Sequence, residues 1–300
     1  MRSLLRFAAL GLTLALSLLS PLVGGIALAS EAKTQRNAIL VVAFGSSMRE
    51  GQRAINAVVS SVKGAFPGTE VRLAYTSRII MRKLAKEGQH FDDPLVALSK
   101  LHAEGFTHVA VLSTHVIPGE EYEDLSAIVG AFNYMRDHGS KSGFEAIALS
   151  RPLLWSPEDF DKMAAILNRA YGKDRTRAVV FMGHGSPHPA EGAYARLQTV
   201  SLRTNPNFVF GTVEGTPSLD DVVSTLKHGK FKRALLVPFM LVAGDHAHND
   251  MAGPEDESWK SVLSKEGIRV DVHLAGLGEN PEVRALLVEH LREAAKEAGF

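Results

Sequence analysis

The chain of 300 residues contains no cysteine, only 2 tryptophans and 7% aromatic residues, and its 33 basic and 33 acidic side chains cancel. Each shortage excludes something. Without cysteine there are no disulfides, no thiolate metal sites and no thiol catalysis, so stability has to come from packing. With no net charge, neither nucleic acid nor an anionic membrane is favoured as the main partner. Nor is the chain short of apolar residues: at 45% hydrophobic and 22% charged it is a globular sequence, long enough for two domains with a sizeable core.

The first 29 residues differ from the rest. Arg2 and Arg6 precede an apolar run from Phe7 to Leu19, then Ser20–Pro21 and a tail ending Ala27–Leu28–Ala29. A basic start, an apolar centre and a small-x-small end predict a secretory signal peptide over residues 1–29, cleaved after Ala29, with an uncleaved anchor as the alternative. The expected mature protein is periplasmic, free of stable membrane insertion, and two charges negative once both arginines are lost.

From residue 37 onward, apolar β-rich runs alternate with helical patterns. Strands are predicted at 38–44, 70–75, 107–113 and 144–149, and again at 177–183, 207–212, 233–241 and 268–273, with helices between them. Asp93 before Pro94, and Ser156 before Pro157–Glu158–Asp159, read as helix starts. Continuous apolar strands joined by helices predict α/β architecture: two similar open parallel-sheet domains with helices on both faces. The expected partition is 30–155 and 156–300, the second domain carrying the chemistry.

The two halves repeat a phrase. Ala38–Ala43 runs into Phe44–Gly45–Ser46–Ser47, and Ala178–Met182 into Gly183–His184–Gly185–Ser186. Ligands of open α/β sheets bind beyond the carboxyl ends of the strands. Aligning those ends places Gly45 opposite His184, Ser77 opposite Glu214, Glu121 opposite His246 and Glu123 opposite His248. The second half therefore brings His184, Glu214 and His246 to one rim. Two imidazoles and a carboxylate suit a borderline divalent ion, cobalt, iron, nickel or zinc, and also proton abstraction near neutral pH. Asp245 and His248 are candidates for orienting those ligands by hydrogen bonds. Gly45–Ser46–Ser47 is a candidate anion-binding turn. No P-loop or dinucleotide fingerprint is present, and Ser186 lacks a nucleophile elbow because Pro187–His188–Pro189 follows it.

These residues resemble a known family. Gly183–His184–Gly185–Ser186 with His188–Pro189–Ala190, Gly211–Thr212–Val213–Glu214–Gly215 and the block Pro238–Asp250, together with Ala43–Phe44–Gly45–Ser46–Ser47, are similar to the anaerobic, class II cobaltochelatases, which insert a divalent ion into sirohydrochlorin. The resemblance implies a two-domain chelatase fold related to ferrochelatase, with the tetrapyrrole in the interdomain cleft. It implies His184, Glu214 and His246 as catalytic and metal-binding positions, divalent cobalt (or iron) as the ion, no organic cofactor, and a homo-oligomer. Because sirohydrochlorin carries many carboxylates, Arg49, Arg53, Arg78 and Arg82 are candidates to bind it. The family is expected in the cytoplasm, so an export signal is a departure. It raises an alternative, an exported metal- or haem-binding protein on the same fold, with His90, His102, His108 and His115 as candidate extra ligands. A zinc hydrolase is a third reading.

Overall fold

Residues 34–300 are described by the computed structural model; the expected signal peptide lies outside them. The chain runs β1 (Asn37–Ala43), α1 (Arg49–Ala65), β2 (Glu70–Tyr75), α2 (Arg78–Lys86), α3 (Pro94–Ala103), β3 (His108–Ser113), α4 (Glu120–Asp137), β4 (Ala146–Leu149) and α5 (Pro157–Tyr171). It continues β5 (Ala178–Gly185), α6 (Gly192–Leu202), β6 (Phe208–Glu214), α7 (Leu219–His228), β7 (Arg233–Pro238), α8 (Trp259–Lys265), β8 (Arg269–Val272) and α9 (Pro281–Glu297). All eight strands fall where the apolar runs predict them. They form two parallel sheets of the same topology, β2-β1-β3-β4 and β6-β5-β7-β8.

The central strands are apolar because both faces are covered, whereas the edge strands β2 and β8 carry Glu70, Arg72, Arg269 and Asp271. In β1, Ile39 and Val41 point to one core while Ala38, Leu40 and Val42 point to another. The first of these cores is shared. Ile39, Val41, Ala110 and Leu112 of one sheet and Val179, Phe181, Phe210 and Val237 of the other belong to one continuous cluster, filled by residues of α1, α5, α6 and α9. The outer faces are separate: α3 and α4 cover the first sheet, α7 and α8 the second.

The last helix does not stay with the half that its sequence position suggests. The apolar stripe Val283, Leu286, Leu287, Leu291, Ala294 and Ala295 of α9 packs against β3, β4 and α1 of the first half. At its end, Gln35 Nε2 donates to the Gly299 carbonyl at 3.1 Å. Meanwhile α5 packs against α6 of the second half. The chain thus crosses between the sheets twice, after β4 and before α9.

One polar knot pins that crossing. Asp159 of α5 and His290 of α9 are both fully buried, with His290 Nε2 3.0 Å from Asp159 Oδ1. Arg151, just after β4, donates through Nε to Asp159 Oδ2 at 3.1 Å and also pairs with Glu293 of α9. The Ser156 N–H completes the carboxylate at 2.8 Å, as part of the capping box that starts α5. Each partner leaves the others' charges satisfied, as a buried pair requires.

Candidate active site

The carboxyl ends of β5, β6 and β7 carry the three residues of interest, and local backbone geometry fixes each one. His184 is the penultimate residue of β5 and is exposed. It stands between two glycines that cannot be otherwise. A Cβ at Gly183 would lie 2.4 Å from the Tyr194 ring, and one at Gly185 would lie 2.0 Å from the Glu214 carbonyl oxygen. Gly185 also has φ +87°, in the left-handed region. Tyr194 is buried beneath this turn, and burial pushes its hydroxyl up to about 12, against the opposing pull of the Gly185 and His184 N–H groups.

Glu214 ends β6, in register with Gly185 and exposed. The loop after it is tied back by Glu191, whose Oε1 accepts the Thr216 N–H at 2.6 Å. His246 opens the single π-helical turn Ala247–Met251. Its Nδ1 lies 2.5 Å from Asp250 Oδ2, and His184 Nδ1 lies 3.0 Å from the Gly185 carbonyl. A carboxylate and a carbonyl can only accept, so in both rings Nδ1 carries a proton, and in the neutral imidazole the lone pair is on Nε2. That is the tautomer in which imidazole binds a metal. The two rings are neighbours, with centroids 4.8 Å apart and planes at 88°.

Some expectations need correction. His184 and His246 come together, but Glu214 remains at the adjacent strand end. Among the described residues, no three His, Asp or Glu side chains converge closely enough to hold an ion. The hydrogen bond that orients His246 is donated to Asp250, not to Asp245 or His248. Asp245 is exposed, and His248 Nε2 is buried with no hydrogen-bond partner among the described residues. Asp250 sits four residues after His246, a helical spacing that could have shown it.

The alignment of the halves also shifts at one point. Val42 pairs with Ala74 and Ser113, and Met182 with Gly211 and Pro238. Met182 therefore matches Val42, Gly185 matches Gly45 (φ +103°), and the counterpart of His184 is Phe44, not Gly45. The matching serines behave alike. Ser46 Oγ accepts the Met48 N–H at 3.1 Å and Ser186 Oγ accepts the His188 N–H at 3.0 Å. The other two matches hold: Ser77 stands opposite Glu214 and Glu121 opposite His246.

This places the expected substrate-binding residues unevenly. Gly45 and Ser46 are buried, with the Ser46 hydroxyl committed to its turn, while Ser47 is partly exposed. Arg49, the first residue of α1, is exposed. Arg53 is exposed and lies 3.9 Å from Glu50. Arg78 and Arg82 line a surface pocket beside His90, Phe91 and Asp92, at the start of α2. Of the first-half histidines, His90 is exposed, His102 packs edge-on to Phe144, and His108 Nδ1 meets Thr107 Oγ1 at 2.9 Å. His115 sits at the rim itself, its Nε2 3.2 Å from Glu121 Oε2.

The rims of both sheets meet at one mouth. Leu241 and Val242, on the way to His246, pack against the cluster of Ala43, Ile55 and Tyr75 in the first half. His188 Nδ1 accepts the Ala190 N–H at 3.1 Å, so its Nε2 donates to Glu123 Oε1 across the halves at 3.1 Å.

Two duplicated parallel-sheet lobes with paired imidazoles at one rim have the chelatase type of fold. Solved structures with this fold include SirB from Bacillus subtilis with Fe3+, at TM-score 0.59 and 16% identity, covering 87% of this chain and 96% of that one. Another is a multi-domain protein from Deinococcus radiodurans described as structurally similar to chelatases, at TM-score 0.54 and 17% identity, covering 88% and 56%. Within that class the chain belongs to the cobalt chelatase (CbiK) family, which it matches over residues 37–296. A sirohydrochlorin cobaltochelatase of Nitratidesulfovibrio vulgaris is 40% identical over 261 residues, 86% of this chain and 90% of that protein. The sirohydrochlorin cobaltochelatase of Salmonella typhimurium is 37% identical over 262 residues, 86% and 96%.

Proposed function

We propose that this protein is a sirohydrochlorin cobaltochelatase, a lyase-class enzyme that places Co2+ in the tetrapyrrole and releases its two pyrrole protons. The observation that carries the reading is the paired His184 and His246, each with Nδ1–H engaged and the Nε2 lone pair available at an exposed rim. Imidazole nitrogens bind cobalt well but not irreversibly, so the macrocycle nitrogens can replace them. A histidine not holding the ion can accept a proton near neutral pH, and Glu214, one strand away, can stabilise the cation or receive a proton in turn. Family membership supports the ion, and the names of two relatives support the substrate.

The test is turnover. Purified protein with sirohydrochlorin and Co2+ is expected to convert the absorption spectrum to that of the metallated product many times faster than a protein-free control, over repeated cycles. Parallel reactions with Fe2+ and Ni2+ rank the ions. Stoichiometric binding without turnover would instead support an exported carrier of metal or tetrapyrrole.

We also propose export, on the basic, apolar and Ala-x-Ala pattern of residues 1–29. Cell fractionation should recover the protein in the periplasm, with Ser30 at its N-terminus. An intact Met1 on cytoplasmic protein would refute this.

A further inference from the structure

The duplication leaves an aromatic where the other half has its metal ligand. Residues Ala38 to Ala43 are fully buried, and the next residue, Phe44, is 47% exposed. By strand register Phe44 is the counterpart of His184. Its backbone has no freedom. The Ala43 carbonyl accepts the Thr76 N–H at 3.0 Å and the Phe44 carbonyl accepts the Ser77 N–H at 3.1 Å. Behind it, Gly45 lies so close to the Tyr75 ring that a Cβ would sit 2.9 Å away. The side chain is therefore presented to solvent on a rigid mount.

Phe44 directly follows Ala43, a member of the cluster that the segment leading to His246 packs against. In that segment Val242, four residues before His246, packs against the cluster, which also contains Tyr75 of the adjacent strand. Ile79, at the start of α2 after the neighbouring strand β2, is a second exposed apolar side chain of this half, at 62%. An exposed aromatic held without side-chain crowding presents contact area at low entropic cost.

We infer that Phe44 is a positioning residue that takes one face of the tetrapyrrole and holds the ring against the His184–His246 wall. This rests on the proposed function, which supplies the occupant. A tetrapyrrole is a broad conjugated disc with its carboxylates on the periphery. Its faces call for aromatic contact and its rim for basic groups. The wall bearing the ion needs donor nitrogens, whereas the wall opposite needs only shape, and the divergence of Phe44 from His184 follows that division.

The test separates ring binding from ion binding. Metal-free sirohydrochlorin is titrated into wild type, Phe44→Ala and Phe44→Tyr, followed by absorption and fluorescence, and Co2+ affinity is measured separately. Phe44→Ala is expected to weaken sirohydrochlorin binding about tenfold, and to raise KM similarly, while kcat at saturation moves less than about threefold. Its Co2+ affinity and unfolding midpoint should match wild type, and Phe44→Tyr should restore ring binding. Equal binding of the ring by Phe44→Ala, or no restoration by Phe44→Tyr, overturns the inference. Wild type that binds sirohydrochlorin but inserts no cobalt defeats the enzymatic reading and leaves the platform standing.

Discussion

Replacing His184 or His246 with alanine is expected to slow cobalt insertion into sirohydrochlorin by about 10²–10⁴-fold while leaving the fold intact. The size follows from what each ring provides. Every one of the two Nε2 lone pairs is a first contact for the ion, and its neighbours supply no replacement: Asp250 already accepts from His246, and Gly185 has no side chain. The tolerance of the fold follows from exposure. His184 projects from a strand end and His246 from a short surface turn, so truncation removes little buried area, and stability should change by only about 0.5 kcal/mol. Glu214→Gln should cost less than either histidine, because the close pair at the rim is made by His184 and His246. Single-turnover spectra beside thermal melts would check this. Full insertion activity in both alanine variants would show that the ion is handled elsewhere.

Much of this site was legible before the structure, and the reasons can be stated residue by residue. Strand positions could be read because both-face burial forces unbroken apolar runs such as Ala178–Met182. The rim positions of His184, Glu214 and His246 followed, since strand ends are where apolar runs stop. What escaped the sequence was geometry that a linear pattern does not encode. The counterpart of His184 is Phe44 rather than Gly45, because the two turns share a backbone conformation and not a residue pattern. The invariant of the two turns is a left-handed glycine followed by a serine that caps its own turn, Gly45–Ser46 and Gly185–Ser186. The correct register reveals Phe44.

Asp250 and Glu191 escaped for a related reason. Each acts through one hydrogen bond, to His246 Nδ1 and to the Thr216 N–H, set by a π-helical turn and a loop crossing. The placement of α9 escaped because an amphipathic stripe says that a helix packs, not which sheet receives it. Only the three-dimensional path returns it to β3 and β4.

Removing the buried carboxylate that anchors this return should destabilise the protein more than any single change at the rim. Asp159→Ala is expected to cost about 3–5 kcal/mol in urea unfolding at pH 7, since it leaves the buried His290 ring without its acceptor and Arg151 with Glu293 as its one remaining carboxylate. The same knot sets an acid limit. Burial pushes the Asp159 carboxyl up, but the Ser156 N–H, Arg151 and His290 together outweigh it and hold the group below its ordinary value. Burial pushes His290 down, against the pull of Asp159, so it folds neutral. Both folded values lie below their unfolded ones, so on acidification the unfolded chain binds protons first and stability falls. For His290 the loss begins as pH drops below about 6.5, the ordinary histidine value, and for Asp159 below about 4. Wild type should therefore weaken in two stages between neutrality and strong acid. His290→Gln should remove the upper stage, and Asp159→Ala, already weakened at pH 7, should show a shallower acid slope. An unfolding free energy of Asp159→Ala within about 1 kcal/mol of wild type would mean that the shared apolar core holds α9 in place without the polar knot.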